Sequence, residues 1–318
     1  MPSGALAEID ISSAARVEYA VEKQLGKMFP RPLPLWGAYL WPDAPEPLET
    51  GFAINPEDVL DFTGQHTFGL PAGDWIIQRI GMMPTGVENS PAAPNATGLE
   101  VDKLNRTHLG PHFDAFVGEL LKRLTPEERS ALKYIVGDSY EKGSQNWTDD
   151  LPHHFEQTYG YSPIPFLPAL SGRVVQSANA SDRFLWDLRR LVADRLADEY
   201  VGGLRDLCHE HNMKLWLENY GHWGFPGEFM RYGGECDLVA GEFWVTGTLG
   251  NIECRAAAST AHAYGKPVVY AEAFTSGVNW QYAPFDLKAR GDWAFTEGIN
   301  HFVLHVYIQQ PDEAPPGM

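Results

Sequence analysis

Five acidic residues stand at or just past the ends of short apolar runs, each close to an aromatic. They are Asp138 and Glu141 in "VGDSYE", Glu218 in "LWLENY", Glu242 in "VAGEFW" and Glu272 in "VYAEAF". A buried carboxylate is costly unless it is paired or neutralised, so these placements need a reason. Carboxylates that share a small space raise one another's pKa, which sets a protonated acid beside an ionised base near neutral pH. Two such groups flanking a glycosidic bond can split it, one protonating the leaving oxygen while the other activates water or attacks the anomeric carbon. Several at one rim can also hold a hard cation such as Ca²⁺ or Mg²⁺. Both chemistries stay open at this point. A lone acid at a strand end more often caps a helix or pairs with an arginine; five in equivalent positions favour a site.

Rings follow the acids closely. Tyr220, Phe243, Trp244, Phe274 and, further on, Trp280 could wall a pocket that stacks on sugar faces, and packing at the mouth of a barrel would use the same residues. His305 ends the last apolar run, "HFVLH", and joins the same rim as a substrate contact.

For these acids to meet, the runs before them must be parallel strands. After Asp74, short apolar runs alternate with helical periods and Gly/Pro punctuation, the mark of βα units. The pattern predicts strands at Trp75–Ile80, Lys133–Gly137, Leu215–Leu217, Leu238–Gly241, Val268–Ala271 and Phe302–Leu304. Helices are predicted over Ala14–Met28, over Leu109–Leu124, over Ser181–His211 with Ser181 as N-cap, over Asn251–Tyr264 before Gly265, and over Asp286–Glu297 before Gly298. The expected fold class is α/β, a (β/α)8 TIM-type barrel, complete or interrupted, whose active site gathers at the C-terminal strand ends. Residues 1–73, crowded with Pro and Trp in "RPLPLWGAYLWPDAPEP", are expected to form a helix and an irregular arm, and residues 74–318 the barrel.

Composition narrows the partners. The 318 residues are 44% hydrophobic and 12% aromatic, enough for a substantial core. A formal charge of -18 repels nucleic acid and anionic membranes, and no run of 18 apolar residues could span a bilayer. A neutral partner such as a carbohydrate fits better. Met1–Arg16 has no signal-peptide pattern, and a leader absent from this stretch would leave the compartment open. Cys208, Cys236 and Cys254 have no C-x-x-C spacing and read as reduced, structural thiols. "GMMPTGVENSPAAPNATG" lacks the spacing and Lys of a phosphate loop, no Cys/His set suits zinc, and no G-x-S-x-G elbow marks a serine hydrolase.

Longer motifs carry a resemblance. "DSYEKGSQNWT", "YSPIPFLPALSGRVV", "KPVVYAEAFTSG" and "GDWAFTEGINHFVLHVYIQQP", with "TGLEVDK" and "PLWGAYLWP", closely resemble the catalytic region of glycoside hydrolase family 106, the bacterial α-L-rhamnosidases. The resemblance runs over nearly the whole chain. It implies a (β/α)8 barrel, hydrolysis of α-L-rhamnosides or related deoxysugar glycosides with inversion, and a Ca²⁺ that contacts sugar hydroxyls. By motif, the family's site glutamates fall on Glu141 as general acid, Glu272 as general base, and Glu242 as a sugar or cation ligand. Asp138, Glu218, Trp244, Phe274, Trp280 and His305 are then expected to contact substrate, and the metal ligands stay unassigned.

Two departures accompany the resemblance. Family members usually continue well past "HVYIQQP", and Gln309 stands where many have a second His. An incomplete barrel would leave an open edge for the arm or a second copy to cover, so a homo-oligomer is one expectation. Two other readings remain: a non-catalytic carbohydrate-binding barrel, and a retaining glycosidase of the β-galactosidase type. The latter wants Asn-Glu at a strand end, where this chain has Glu218-Asn219.

Overall fold

The apolar runs that precede the acids become one sheet. In the computed structural model, which describes residues 16–25, 53–65, 67, 69–90, 92, 94–221, 225–277 and 281–306, the elements follow in chain order. They are α1 (Ala20–Lys23), α2 (Arg106–Phe113), α3 (Glu119–Arg123), α4 (Pro126–Ala131), β1 (Tyr134–Gly137), α5 (Leu151–Tyr159), α6 (Ala178–Arg195), α7 (Gly202–Glu210), β2 (Lys214–Glu218), α8 (Phe229–Gly234), β3 (Leu238–Trp244), α9 (Asn251–Ala263), β4 (Val269–Thr275), α10 (Pro284–Thr296) and β5 (His301–Leu304). Single π-helical turns, Asp114–Gly118 and Leu196–Val201, join α2 to α3 and α6 to α7.

Contacts group the chain into two units, one of residues 1–26, 31–82 and 149–189, the other of residues 27–30, 83–148 and 190–318. Within the first, Phe155 is fully buried among the rings of Tyr159, Tyr161 and Phe184, and the Tyr161 hydroxyl donates to Asp187 at 2.8 Å. The buried Lys23 ammonium is neutralised by Asp182 at 2.5 Å.

The second unit holds the sheet. All five strands are parallel in the order β1-β2-β3-β4-β5, curled as in half of a barrel. Along β4 the burial alternates, with Val269, Ala271 and Ala273 packed away and Tyr270 and Glu272 on the other face. The packed face meets α9, whose small residues Ala257, Ala258 and Ala261 allow close approach. Val239, Leu215 and Leu217 are fully buried, each contributing about 1.5–3 kcal/mol. The three cysteines are free and buried, and burial pushes each thiol up to about 12, so they serve as core. Among the described residues no helix is long and apolar enough to cross a membrane.

Five of the six predicted strands form, within a few residues of their expected ends. The sixth, Trp75–Ile80, does not: the segment has no regular structure and no ladder partner among the described residues, with Ile76 and Ile77 78% and 77% exposed. An apolar run suits a strand, but without a neighbour to pair it the backbone stays irregular. The cap of α6 also differs. Ser177, not Ser181, precedes the helix, and its hydroxyl accepts from the Ala180 N–H at 3.0 Å. Ser181 lies inside the first turn, bonded to Val175. Of the predicted Ala14–Met28 helix, residues 16–25 are described and only the single turn Ala20–Lys23 is helical, and most of the Pro/Trp-rich stretch lies outside the described residues.

Candidate active site

Strand register brings the acids together. In parallel pairing, partner residues point to the same side, and Glu242 on β3 is the register partner of Glu272 on β4. Glu218 on β2 pairs with Ala240, two residues before Glu242 and therefore on the same face. Gly137 pairs with Leu217, so Asp138 leaves β1 beside Glu218. The carboxylates of Asp138, Glu218 and Glu272 each offer an oxygen within 4.8 Å of the others.

Glu141 arrives on the loop after β1. Tyr140 extends the pairing there, its N–H donating to the Tyr220 carbonyl at 3.2 Å. The rest of "DSYEKGSQNWT" is tied down by Asp102, whose carboxylate accepts from the Gln145 amide and, at 2.7 Å, from the Thr148 hydroxyl. Glu141 stands near enough for its charge to act on Glu242.

The acids differ in their surroundings. Glu218 is 1% exposed; burial first, and then a hydrogen bond and the charge of Asp138 with the charges of Glu272 and Glu242, push its carboxyl up to about 11. One of its oxygens accepts from the Ser139 N–H at 3.1 Å, and the other, Oε1, is buried with no hydrogen-bond partner among the described residues. Glu242 is held from two sides: the Tyr220 hydroxyl donates to Oε2 and the Trp244 indole N–H donates to Oε1 at 2.5 Å. Its pKa is raised to about 7 on balance: burial pushes it up most, the two donors pull it down, and the charges of Glu272 and Glu141 push it up further. Two donors and no acceptor favour the carboxylate, which suits Glu242 to receiving hydroxyls or a cation. Glu272 is partly open, takes the Thr275 hydroxyl on Oε1 at 2.5 Å, and has His305 Nε2 4.0 Å away.

The rings divide between the two faces. Trp244 stays on the acid face, where its N–H is used. Phe274, expected as a wall there, packs instead against Phe243 and Phe302 at centroid distances of 5.0 and 5.4 Å, on the side that faces α10. A backbone irregularity in β4, where Phe274 takes a left-handed φ of 64°, causes this. Trp280 lies outside the described residues. The sequence did not single out the Tyr220 hydroxyl or the Thr275 hydroxyl as carboxylate donors. Tyr220 was legible as an aromatic near a site, but nothing in "EAFT" signals that Thr275 turns toward Glu272.

Cations are scarce at this face. Among the described residues His305 is the one basic side chain paired with any of the five acids. Lys142, next to Glu141, turns away to donate to the Glu88 carbonyl at 3.1 Å and to the Ser90 hydroxyl. A divalent cation fits the donor set: three hard carboxylates converge, and Glu218 Oε1 lacks any other partner.

Comparison with known proteins bears on this face. A glycoside hydrolase family 106 model, described as alpha-L-rhamnosidase, matches residues 2–318. A protein of Formosa agariphila named "Putative beta-glucuronidase" is 37% identical over 265 residues, 83% of this chain and 22% of its own length. A solved structure titled "Structure of Rhamnosidase from Novosphingobium sp. PP1Y" aligns with a TM-score of 0.64 at 33% identity, covering 72% of this chain and 23% of that one. The chain thus spans less than a quarter of the length of these relatives.

Proposed function

The chain belongs to glycoside hydrolase family 106, the family described as alpha-L-rhamnosidase, and from that premise we propose that it forms the catalytic region of a glycosidase acting on α-L-rhamnosides. The observation that carries this reading is the pairing of Glu242 with Glu272 on one sheet face, with Asp138, Glu218 and Glu141 gathered around them. The five strands are read as part of a (β/α)8 barrel. Among the described residues β1 and β5 are the terminal strands, with Tyr134, Val136, Val303 and Leu304 exposed, which leaves both edges available to further strands or a second copy.

In the proposed reaction Glu141 gives its proton to the glycosidic oxygen as the bond to C1 breaks. Glu272 takes a proton from water as the water oxygen attacks C1 from the opposite face, so the sugar leaves with inverted configuration and the aglycone as an alcohol. Glu242, fixed by Tyr220 and Trp244, receives sugar hydroxyls. Asp138 and Glu218, beside Glu272, are the residues that would hold Ca²⁺, which when bound would supply positive charge for orienting sugar hydroxyls among these crowded acids.

A neutral deoxysugar suits this face better than a uronic acid. A glucuronide would bring its own carboxylate among five other acids, with His305 the one basic side chain paired with any of them among the described residues. The test is a panel of 4-nitrophenyl glycosides, α-L-rhamnoside, α-L-fucoside and β-D-glucuronide, with and without Ca²⁺. Turnover of the rhamnoside supports the reading. Turnover of the glucuronide alone, or rhamnose binding in calorimetry without turnover of any glycoside, overturns it.

A further inference from the structure

Strand β4 breaks its own alternation at one residue. On a regular strand Phe274 would share the face of Glu272, and Thr275 would point to the helices. Here the register slips: Phe243 pairs with Ala273, and the next residue, Trp244, pairs with Thr275. Phe274 is the extra residue of a bulge and takes a left-handed φ of 64°. That conformation costs a bulky residue about 1–2 kcal/mol, so something must hold it.

The holding contacts lie behind the sheet. The Phe274 ring packs edge-on against Phe243 and Phe302, and its tip lies 3.1 Å from where a Cβ on Gly291 of α10 would sit. Gly291 leaves the slot that this ring fills. With Phe274 turned out, Thr275 comes level with Trp244 on the acid face, 6% exposed, and its hydroxyl donates to Glu272 Oε1 at 2.5 Å. Glu272 otherwise faces the carboxyl groups of Asp138 and Glu218, each with an oxygen within 4.8 Å, and His305 at 4.0 Å, none of which fixes one of its oxygens.

We infer that Thr275 is the positioning residue for Glu272, and that the Phe274 bulge, latched into the slot at Gly291, is the device that presents it. This rests on the reading of Glu272 as general base. The hydroxyl fixes one carboxylate oxygen and leaves the other free to face the attacking water. Thr275 itself touches no reacting atom.

The test is steady-state kinetics on the full chain with 4-nitrophenyl α-L-rhamnoside, comparing T275V, T275S, E272Q and E272Q/T275V, with melting temperatures alongside. T275V should lower kcat about 10- to 100-fold with KM nearly constant, because misplacing a reacting group costs on that order. T275S should recover most of the loss. In the E272Q background T275V should cost nothing further, since it acts through the removed carboxylate. The inference is overturned by a T275V enzyme with wild-type kcat, by T275S as slow as T275V, or by losses that multiply in the double variant. An E272Q enzyme with full activity removes the base assignment and the inference with it, an outcome distinct from a crippled E272Q beside an unaffected T275V.

Discussion

Glu242 and Glu272 face each other across β3 and β4 as register partners, yet their carboxylates are held by different hands. Tyr220 and Trp244 clamp both oxygens of the first, while Thr275 takes one oxygen of the second. One acid is therefore fixed as an acceptor and the other keeps a free oxygen. That division of labour matches a sugar-holding residue beside a residue that meets water.

The clamp has a pH signature. The Glu242 carboxyl is pushed up to about 7 in the folded chain, above the ordinary carboxylate range, so between that range and about 7 the folded state keeps a proton that the unfolded state has released. Stability contributed through this group therefore falls as pH rises through that window. E242Q should flatten the fall, and Y220F, which removes a donor to the anion, should steepen it. Urea unfolding midpoints compared at about pH 5 and pH 8 measure both, and equal slopes in all three proteins would refute the clamp.

The two proposed proton carriers should behave differently from the clamp residue. E141Q and E272Q are expected to lose about 100- to 10,000-fold in kcat with little change in KM. E242Q should raise KM for the rhamnoside at least as much as it lowers kcat. Proton NMR of the first-formed sugar anomer decides inversion. A retained anomer would reassign Glu272 from base to nucleophile.

Much of this site could be read from sequence because the barrel-type geometry is local in its cues. A strand buried on its packed face shows as an apolar run, and an acid that interrupts it marks the open face; β2 ends at Glu218 as expected, whereas β3 and β4 run on past Glu242 and Glu272 to Trp244 and Thr275. The same logic failed at Trp75–Ile80, where the apolar run is present but no neighbour pairs it. It failed again at Phe274, because a bulge depends on a slot at Gly291 that lies well along the chain on another element. Thr275 was hidden for that reason: its direction is set by tertiary packing, whereas alternation predicts the opposite face.

A cation should show itself in stability. Protein treated with EDTA should gain several degrees in melting temperature on addition of millimolar Ca²⁺, because binding to the folded state alone stabilises by mass action. Mg²⁺ should act more weakly, since it prefers a tighter octahedral set. The gain should vanish in E218Q, which replaces a carboxyl of this cluster with a neutral amide. Identical melts with and without Ca²⁺ would remove Asp138 and Glu218 as a metal site.

Packing behind the sheet should control the acids in front. A Cβ at Gly241 would lie 2.6 Å from the Glu253 carbonyl oxygen, 2.8 Å from its carbon and 3.0 Å from the Cys254 nitrogen. These are backbone atoms in the first turn of α9, and no side-chain rotation can relieve the clash. G241A must therefore push α9 and β3 apart, a strain of about 1–3 kcal/mol. Glu242 is the next residue, so the same shift pulls its carboxylate off the Tyr220 and Trp244 donors, and KM for the rhamnoside should rise as the melting temperature falls. Gly98 supplies the control, because a Cβ there meets nothing within 4 Å. G98A should stay within about 0.5 kcal/mol of wild type. A G241A protein with normal stability and normal KM would show that β3 does not depend on this close approach to hold Glu242 in place.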